Sequence, residues 1–149
     1  MKQLKKDVIS LITERDDKVA YANTKKLAAE SEFSDIYYDN FEDFVSLLNH
    51  EKLYIRTRAL ILCCSQARWD TEGKIAKYLP DMLQLLHDVK PTVVRQSLNA
   101  FKEVIAFRPE LSGGIKDELE MIDLTQYKES MVGLIAADAA QLRELIEEE

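Results

Sequence analysis

A segment of this chain occurs twice, and that recurrence constrains the fold more than any other feature of the sequence. Leu47-Leu48-Asn49-His50-Glu51-Lys52, then Ile55-Arg56, is echoed by Leu85-Leu86-His87-Asp88-Val89-Lys90, then Val94-Arg95. The lysines lie 38 residues apart and the arginines 39. Each copy reads as a helix ending in Leu-Leu, a short polar turn, and a new helix opening on a β-branched residue and an arginine. A period near 40 residues is the size of a two-helix unit, which buries its apolar face only by stacking on its neighbours.

The rest of the chain is compatible with such units. Four glycines and three prolines in 149 residues leave little turn material for an all-β fold. The spacing of apolar residues predicts eight helices instead. The first covers about 2–14, with Leu4, Val8, Leu11 and Ile12 on one face. The second, 17–31, follows an Asp16-Asp17 cap, and the third, 35–49, follows Ser34 or Asp35. The fourth, 52–68, is apolar nearly all round from Ala59 to Cys64, which suits a central, covered helix. A fifth, 71–87, should kink or restart at Pro80, and Pro91 opens the sixth, 91–107. The seventh is expected at 110–122 and the eighth at 131–147 behind a Ser130 cap. Connections are short and no linker interrupts them, so residues 1–149 read as one domain.

Charge and cysteine usage narrow the function classes. The formal charge is −7, with seven basic and five acidic side chains in residues 1–30 but three basic and ten acidic in residues 111–149. A negative chain with an acidic end repels phosphate backbones, which argues against nucleic-acid binding. Asp7 interrupts the basic start before an apolar run of signal-peptide length, and Ala59–Cys64 is too short to span a bilayer. A cytoplasmic location is therefore the expectation. Cys63 and Cys64 are adjacent, point about 100° apart on a helix, and read as buried reduced thiols. His50 and His87 have no third ligand at metal spacing, and neither a Gly-x-Ser-x-Gly elbow nor a Gly-rich phosphate loop is present. No catalytic, cofactor or metal site is expected.

Several residues stand out as candidates for binding or for support. Arg56 and Arg95 occupy equivalent places, which favours a structural role, as does the turn residue Asp88: the arginines would bond turn carboxylates or helix-end carbonyls, from repeat to repeat. Arg58 has no equivalent, because Ser97 takes its place. It is therefore the better candidate for specific contact. Trp69, the only tryptophan, is either a partner anchor beside Arg68 or packed under the next hairpin with Asp70 capping the following helix. Of Tyr37 and Tyr38, one is expected to face outward. Asp138 lies on the apolar stripe of the last helix between Ile135 and Leu142. An unpaired charge there is costly, so it should pair with Arg95 or Tyr127. The exposed faces of the second helices of each hairpin should carry Lys25, Arg58, Arg68, Lys102 and Arg143 beside Glu103 and Glu144.

The paired segments resemble HEAT-type repeats. Ile55-Arg56 with Ala59, and Val94-Arg95 with Leu98, match that family's start of a second helix. Asp88 matches its turn aspartate, where Asn49-His50 stands in the earlier copy. The resemblance covers 41–107, and the outer hairpins 2–31 and 110–147 are only weakly repeat-like. The chain also resembles a small group of bacterial HEAT/ARM-like proteins whose members have no established activity. Tyr54-Ile55-Arg56-Thr57-Arg58, Ala67-Arg68-Trp69-Asp70, and 123–131 with Leu134-Ile135 carry that likeness. The resemblance implies an all-α, right-handed α-α superhelix of about four helical hairpins. It implies a non-enzymatic scaffold that binds a protein or peptide, without a membrane and with its oligomeric state open. Two other functions attach to the likeness. Base-excision proteins of HEAT-like fold need a basic groove, which a charge of −7 does not suggest. Some members of the bacterial group are labelled as linked to iron–sulfur assembly, and two adjacent cysteines do not make a four-ligand cluster site.

Overall fold

The computed structural model describes residues 8–148. They form eight helices and, among the described residues, no strand. In chain order these are α1 (8–12), α2 (Asp17–Glu30), α3 (Phe41–Val45), α4 (Leu53–Ser65), α5 (Lys74–Leu83), α6 (Pro91–Phe107), α7 (Ser112–Glu120) and α8 (Glu129–Glu147). Leu4 and the basic start lie outside the described residues.

The even-numbered helices pack in series, α2 on α4, α4 on α6 and α6 on α8. Helix α3 lies against α4 and α5, and α7 against α8. The sequence explains which helix goes inside. Helix α4 buries Ile55, Leu60, Leu62, Cys63 and Cys64 around most of its circumference, so it needs neighbours on several sides. Helix α6 buries Val94, Leu98, Phe101 and Ile105 at helical spacing and keeps a polar stripe. One continuous apolar core runs from Val8 to Leu142.

Helix ends follow local chemistry in places. The Asp16 carboxylate accepts the amide hydrogens of Lys18 and Val19 at 3.0 and 3.4 Å and opens α2. Pro91 sits in the first turn of α6, where its missing N–H costs nothing. Elsewhere the elements are shorter than the periodicity predicts. The expected third helix, 35–49, is a 3₁₀ turn over Tyr38–Asn40, the five-residue α3, and further tight turns. Asp39 and Asn40 are weak helix formers, because their side chains compete for backbone groups. Pro80 does not restart a helix: α5 runs through it to Leu83 and then tightens into a 3₁₀ turn over Gln84–His87. Ala76 and Pro80 are both exposed, so water can satisfy the carbonyl that the proline leaves without a donor. Ser130 is not the cap of the last helix, which begins at Glu129 after an extended Lys128. Leu11 and Leu134, expected inward, are exposed, since both belong to helices at the two ends of the stack.

Candidate functional site

A groove of about 850 Å³ is lined by residues of α2, α4, α6 and α8. Helix α2 contributes Tyr21, Lys25, Ala28 and Ala29, with Glu32 just beyond its end. Their spacing keeps them on one helical face. Helix α6 contributes Thr92, Arg95, Gln96, Asn99, Lys102 and Glu103, the polar stripe opposite its core residues. Ile61, Cys64 and Ser65 of α4 form an uncharged floor, and Asp138 and Gln141 of α8 close the far side.

The groups along this groove divide into those engaged within the chain and those left free. Arg95 Nε donates to Asp138 Oδ2 at 2.6 Å, and Nη2 to Oδ1 at 3.4 Å. Arg68 donates to Glu103 Oε2 at 3.1 Å and to the Glu32 carbonyl at 3.0 Å, while its guanidinium stacks on Phe107 at 4.3 Å. Against these, the side chains of Gln96, Asn99, Lys102 and Gln141 make no hydrogen bond or ion pair to any described residue. Lys25 touches only the Tyr21 ring, 5.6 Å from its centroid. Burial pushes the Cys63 and Cys64 thiols well up from their ordinary value. Both are therefore neutral, and Cys64 offers the groove a small apolar floor rather than a nucleophile.

The residues that the sequence singles out fall into two groups. Those read as structural are engaged between elements distant in sequence. Arg56 makes a two-pronged contact with Asp88, with Nε and Nη2 both at 3.0 Å, and also donates to the His50 and Glu51 carbonyls at 2.9 and 3.3 Å. Asp88 in turn accepts the Lys90 amide hydrogen at 2.9 Å, and its own carbonyl accepts from the Tyr127 hydroxyl at 2.6 Å. Asp138 pairs with Arg95, one of the two partners expected for it, and Tyr127 serves Asp88 instead.

Most of those read as candidate contacts are not free. Arg58 is 3% exposed and donates to the Ile12 carbonyl at 3.0 Å and to Asp17 at 2.7 Å. It ties α4 to α1 and α2 and presents nothing to a partner. Neither tyrosine faces outward. Tyr37 donates to Glu30 at 3.2 Å, and Tyr38 donates to Asp70 at 2.5 Å, because the 3₁₀ turn between them and Phe41 brings both rings inward. Trp69 is half-buried, with its indole N–H donating to the Ser31 carbonyl at 2.6 Å. Asp70 caps the start of α5 through the amide hydrogens of Lys74 and Ile75 at 2.8 and 3.0 Å. Lys102 alone of the six candidate contact residues lines the groove without a partner.

Sequence reasoning missed the amides Gln96, Asn99 and Gln141. The signal was present on α6, where Thr92, Gln96, Asn99 and Glu103 recur at helical spacing opposite the apolar face of Val94, Leu98, Phe101 and Ile105. His50 and His87 are used locally, His50 accepting the Lys52 amide hydrogen and His87 meeting Glu118, each at 3.0 Å. Among the described residues no three His, Cys, Asp or Glu side chains gather as a metal site, and no helix is long and apolar enough to cross a membrane. Comparison with protein-family models, with curated proteins and with solved structures gives no match.

Proposed function

We propose that this chain is a non-enzymatic binding module of HEAT-like type, acting in the cytoplasm, whose groove holds a segment of another protein. The series of even helices is read as the inner layer of a right-handed superhelix, with α3, α5 and α7 outside it. The observation that carries the proposal is the set of unengaged polar side chains along the groove. Gln96, Asn99 and Gln141 lie there without a partner among the described residues, whereas Arg56, Arg58, Arg68 and Arg108 elsewhere in the chain are all bonded. A carboxamide offers one acceptor and two donors, which match the carbonyl and N–H of a peptide backbone. Catalysis is not supported by these groups. The Cys64 thiol of the floor is neutral, and the Asp138 carboxylate is held by the Arg95 guanidinium.

Site-specific photo-crosslinking tests this. A photoreactive residue replaces Asn99 in the groove, or Lys77 or Asp117 on the exposed faces of α5 and α7. Adducts with a discrete set of proteins are expected from position 99 only. Equal labelling from all three positions, or labelling from 77 and 117 alone, would discard the groove as the binding face.

A further inference from the structure

We infer that the occupant of the groove is an extended segment bearing carboxylate side chains, received between Lys25 and Lys102 over the Cys64 floor. This rests on the groove being a peptide site and adds the chemistry of what enters it. Three cations and three anions line the groove: Lys25, Arg95 and Lys102 against Glu32, Glu103 and Asp138. The balance is only apparent. Arg95 neutralises Asp138, and Arg68 neutralises Glu103. What remains is Lys25 and Lys102, opposed by Glu32 beyond the end of α2. A groove with free cations, in a chain whose formal charge is −7, is a local exception to the molecule's own field. Charges beyond about 8–10 Å are screened at physiological ionic strength, so a bound segment responds first to the charges that line the groove.

Lys25, Cys64 and Lys102 line the groove from three successive helices of the series, α2, α4 and α6, with a cation on either side and an uncharged floor between. Width selects the conformation of the occupant. Packed helices lie about 8–10 Å apart, so the axes of α2 and α6 are at most about 20 Å apart across α4. Subtracting half the thickness of each wall helix leaves at most about 8–10 Å, too narrow for a helix of about 10–12 Å but open to a single extended strand, whose neighbours in a sheet lie about 4.7–4.9 Å away. Gln96 and Asn99, about 4.5 Å apart along α6 by helical rise, face the backbone of such a strand, while the lysines take its carboxylates.

Selection from a random twelve-residue display library against the full chain, at physiological salt, decides the matter. Aspartate and glutamate should be enriched about fivefold or more over lysine and arginine. The Lys25→Glu/Lys102→Glu double variant should turn the preference towards basic peptides. Neither lysine is bonded to a carboxylate, so its thermal unfolding should match that of the parent; a Lys25→Gln/Lys102→Gln variant, expected to lose the acidic preference, provides a milder control. A selected pool that is basic or indifferent to charge, or whose acidic preference survives both double variants, overturns the inference. If such a pool is still abolished by Asn99→Arg, the groove reading stands without it. A pool unaffected by Asn99→Arg, or no enrichment at all, overturns both.

Discussion

Arg56 and Arg58 lie two residues apart on one helix and illustrate how differently two like side chains are used. Arg56 spans the turns of successive hairpins, holding Asp88 with two parallel hydrogen bonds and two carbonyls of the preceding turn. The pair is largely shielded, with side-chain exposures of 16% and 11%. Removing one partner strands the other, so Arg56→Ala should lower the unfolding free energy by about 2–4 kcal/mol in urea titration. Arg56→Lys should recover less than half of that, because an ammonium cannot reproduce the planar two-pronged contact. The Arg95–Asp138 pair sits in the open groove and is more hydrated. Asp138→Leu should therefore destabilise clearly less than Arg56→Ala in the same titration, and a fully stable variant would show that the pair does not support α8. The sequence pointed to turn carboxylates or helix-end carbonyls for Arg56 and Arg95 and to Arg95 or Tyr127 for Asp138, and the structure has two separate pairs, Arg56–Asp88 and Arg95–Asp138. Nothing in the sequence shows that Arg58 turns back to the Ile12 carbonyl, since that partner is 46 residues away.

Elements differ in how well local pattern predicts them. Helix α6 begins at Pro91 and ends at Phe107 as the sequence implies, because a first-turn proline, a strong apolar stripe and Pro109 all agree. The 35–49 stretch fails because its apolar residues are spaced for a helix while Asp39 and Asn40 resist one, and tertiary packing of Tyr38 against Asp70 decides in favour of tight turns. Pro80 is a separate case. It remains inside α5 at a solvent-facing position, tolerated rather than required. Restoring the backbone donor should therefore help: Pro80→Ala is expected to stabilise by about 1–2 kcal/mol, less than the full ~3 kcal/mol interior penalty because the unfolded chain also gains freedom. Thermal melting followed by circular dichroism measures it, and a lower melting temperature would mean that the proline shapes the turn into Gln84–His87.

At the scale of the whole molecule, the buried phenols of Tyr38 and Tyr127 tie together segments distant in sequence, which predicts a loss of stability at alkaline pH. Burial raises Tyr38 above its ordinary value, and the hydrogen bond to Asp70 adds to it. Burial does the same for Tyr37 and Tyr127, helped by Glu30 and Asp88 respectively. Each folded-state phenol thus holds its proton more tightly than the unfolded chain does. Their contribution is fully present below about pH 10 and is lost as pH climbs beyond it. Stability should fall steeply above pH 10, and the slope in Tyr38→Phe should be shallower by about one proton. An unchanged slope would assign the alkaline loss to other groups. The groove is a property of this same scale. Its walls come from α2 and α6, its floor from α4 and its end from α8, so no local window contains it.

The sequence by itself determined the helical class, the repeat interval, the central place of Ala59–Cys64 and the arginine–carboxylate ties between hairpins. All of these follow from periodicity or from the recurrence of one segment, which are properties of the chain's own order. Only the tertiary structure decided which polar groups are engaged and which are free. Arg58, Tyr37 and Tyr38 look as available in sequence as Lys102, Gln96 and Asn99. Availability, however, depends on what a neighbouring helix brings within hydrogen-bonding distance, and those neighbours lie tens of residues away. The physical reason is that burial and pairing are fixed by stacking, whereas periodicity fixes only which side of a helix a residue occupies.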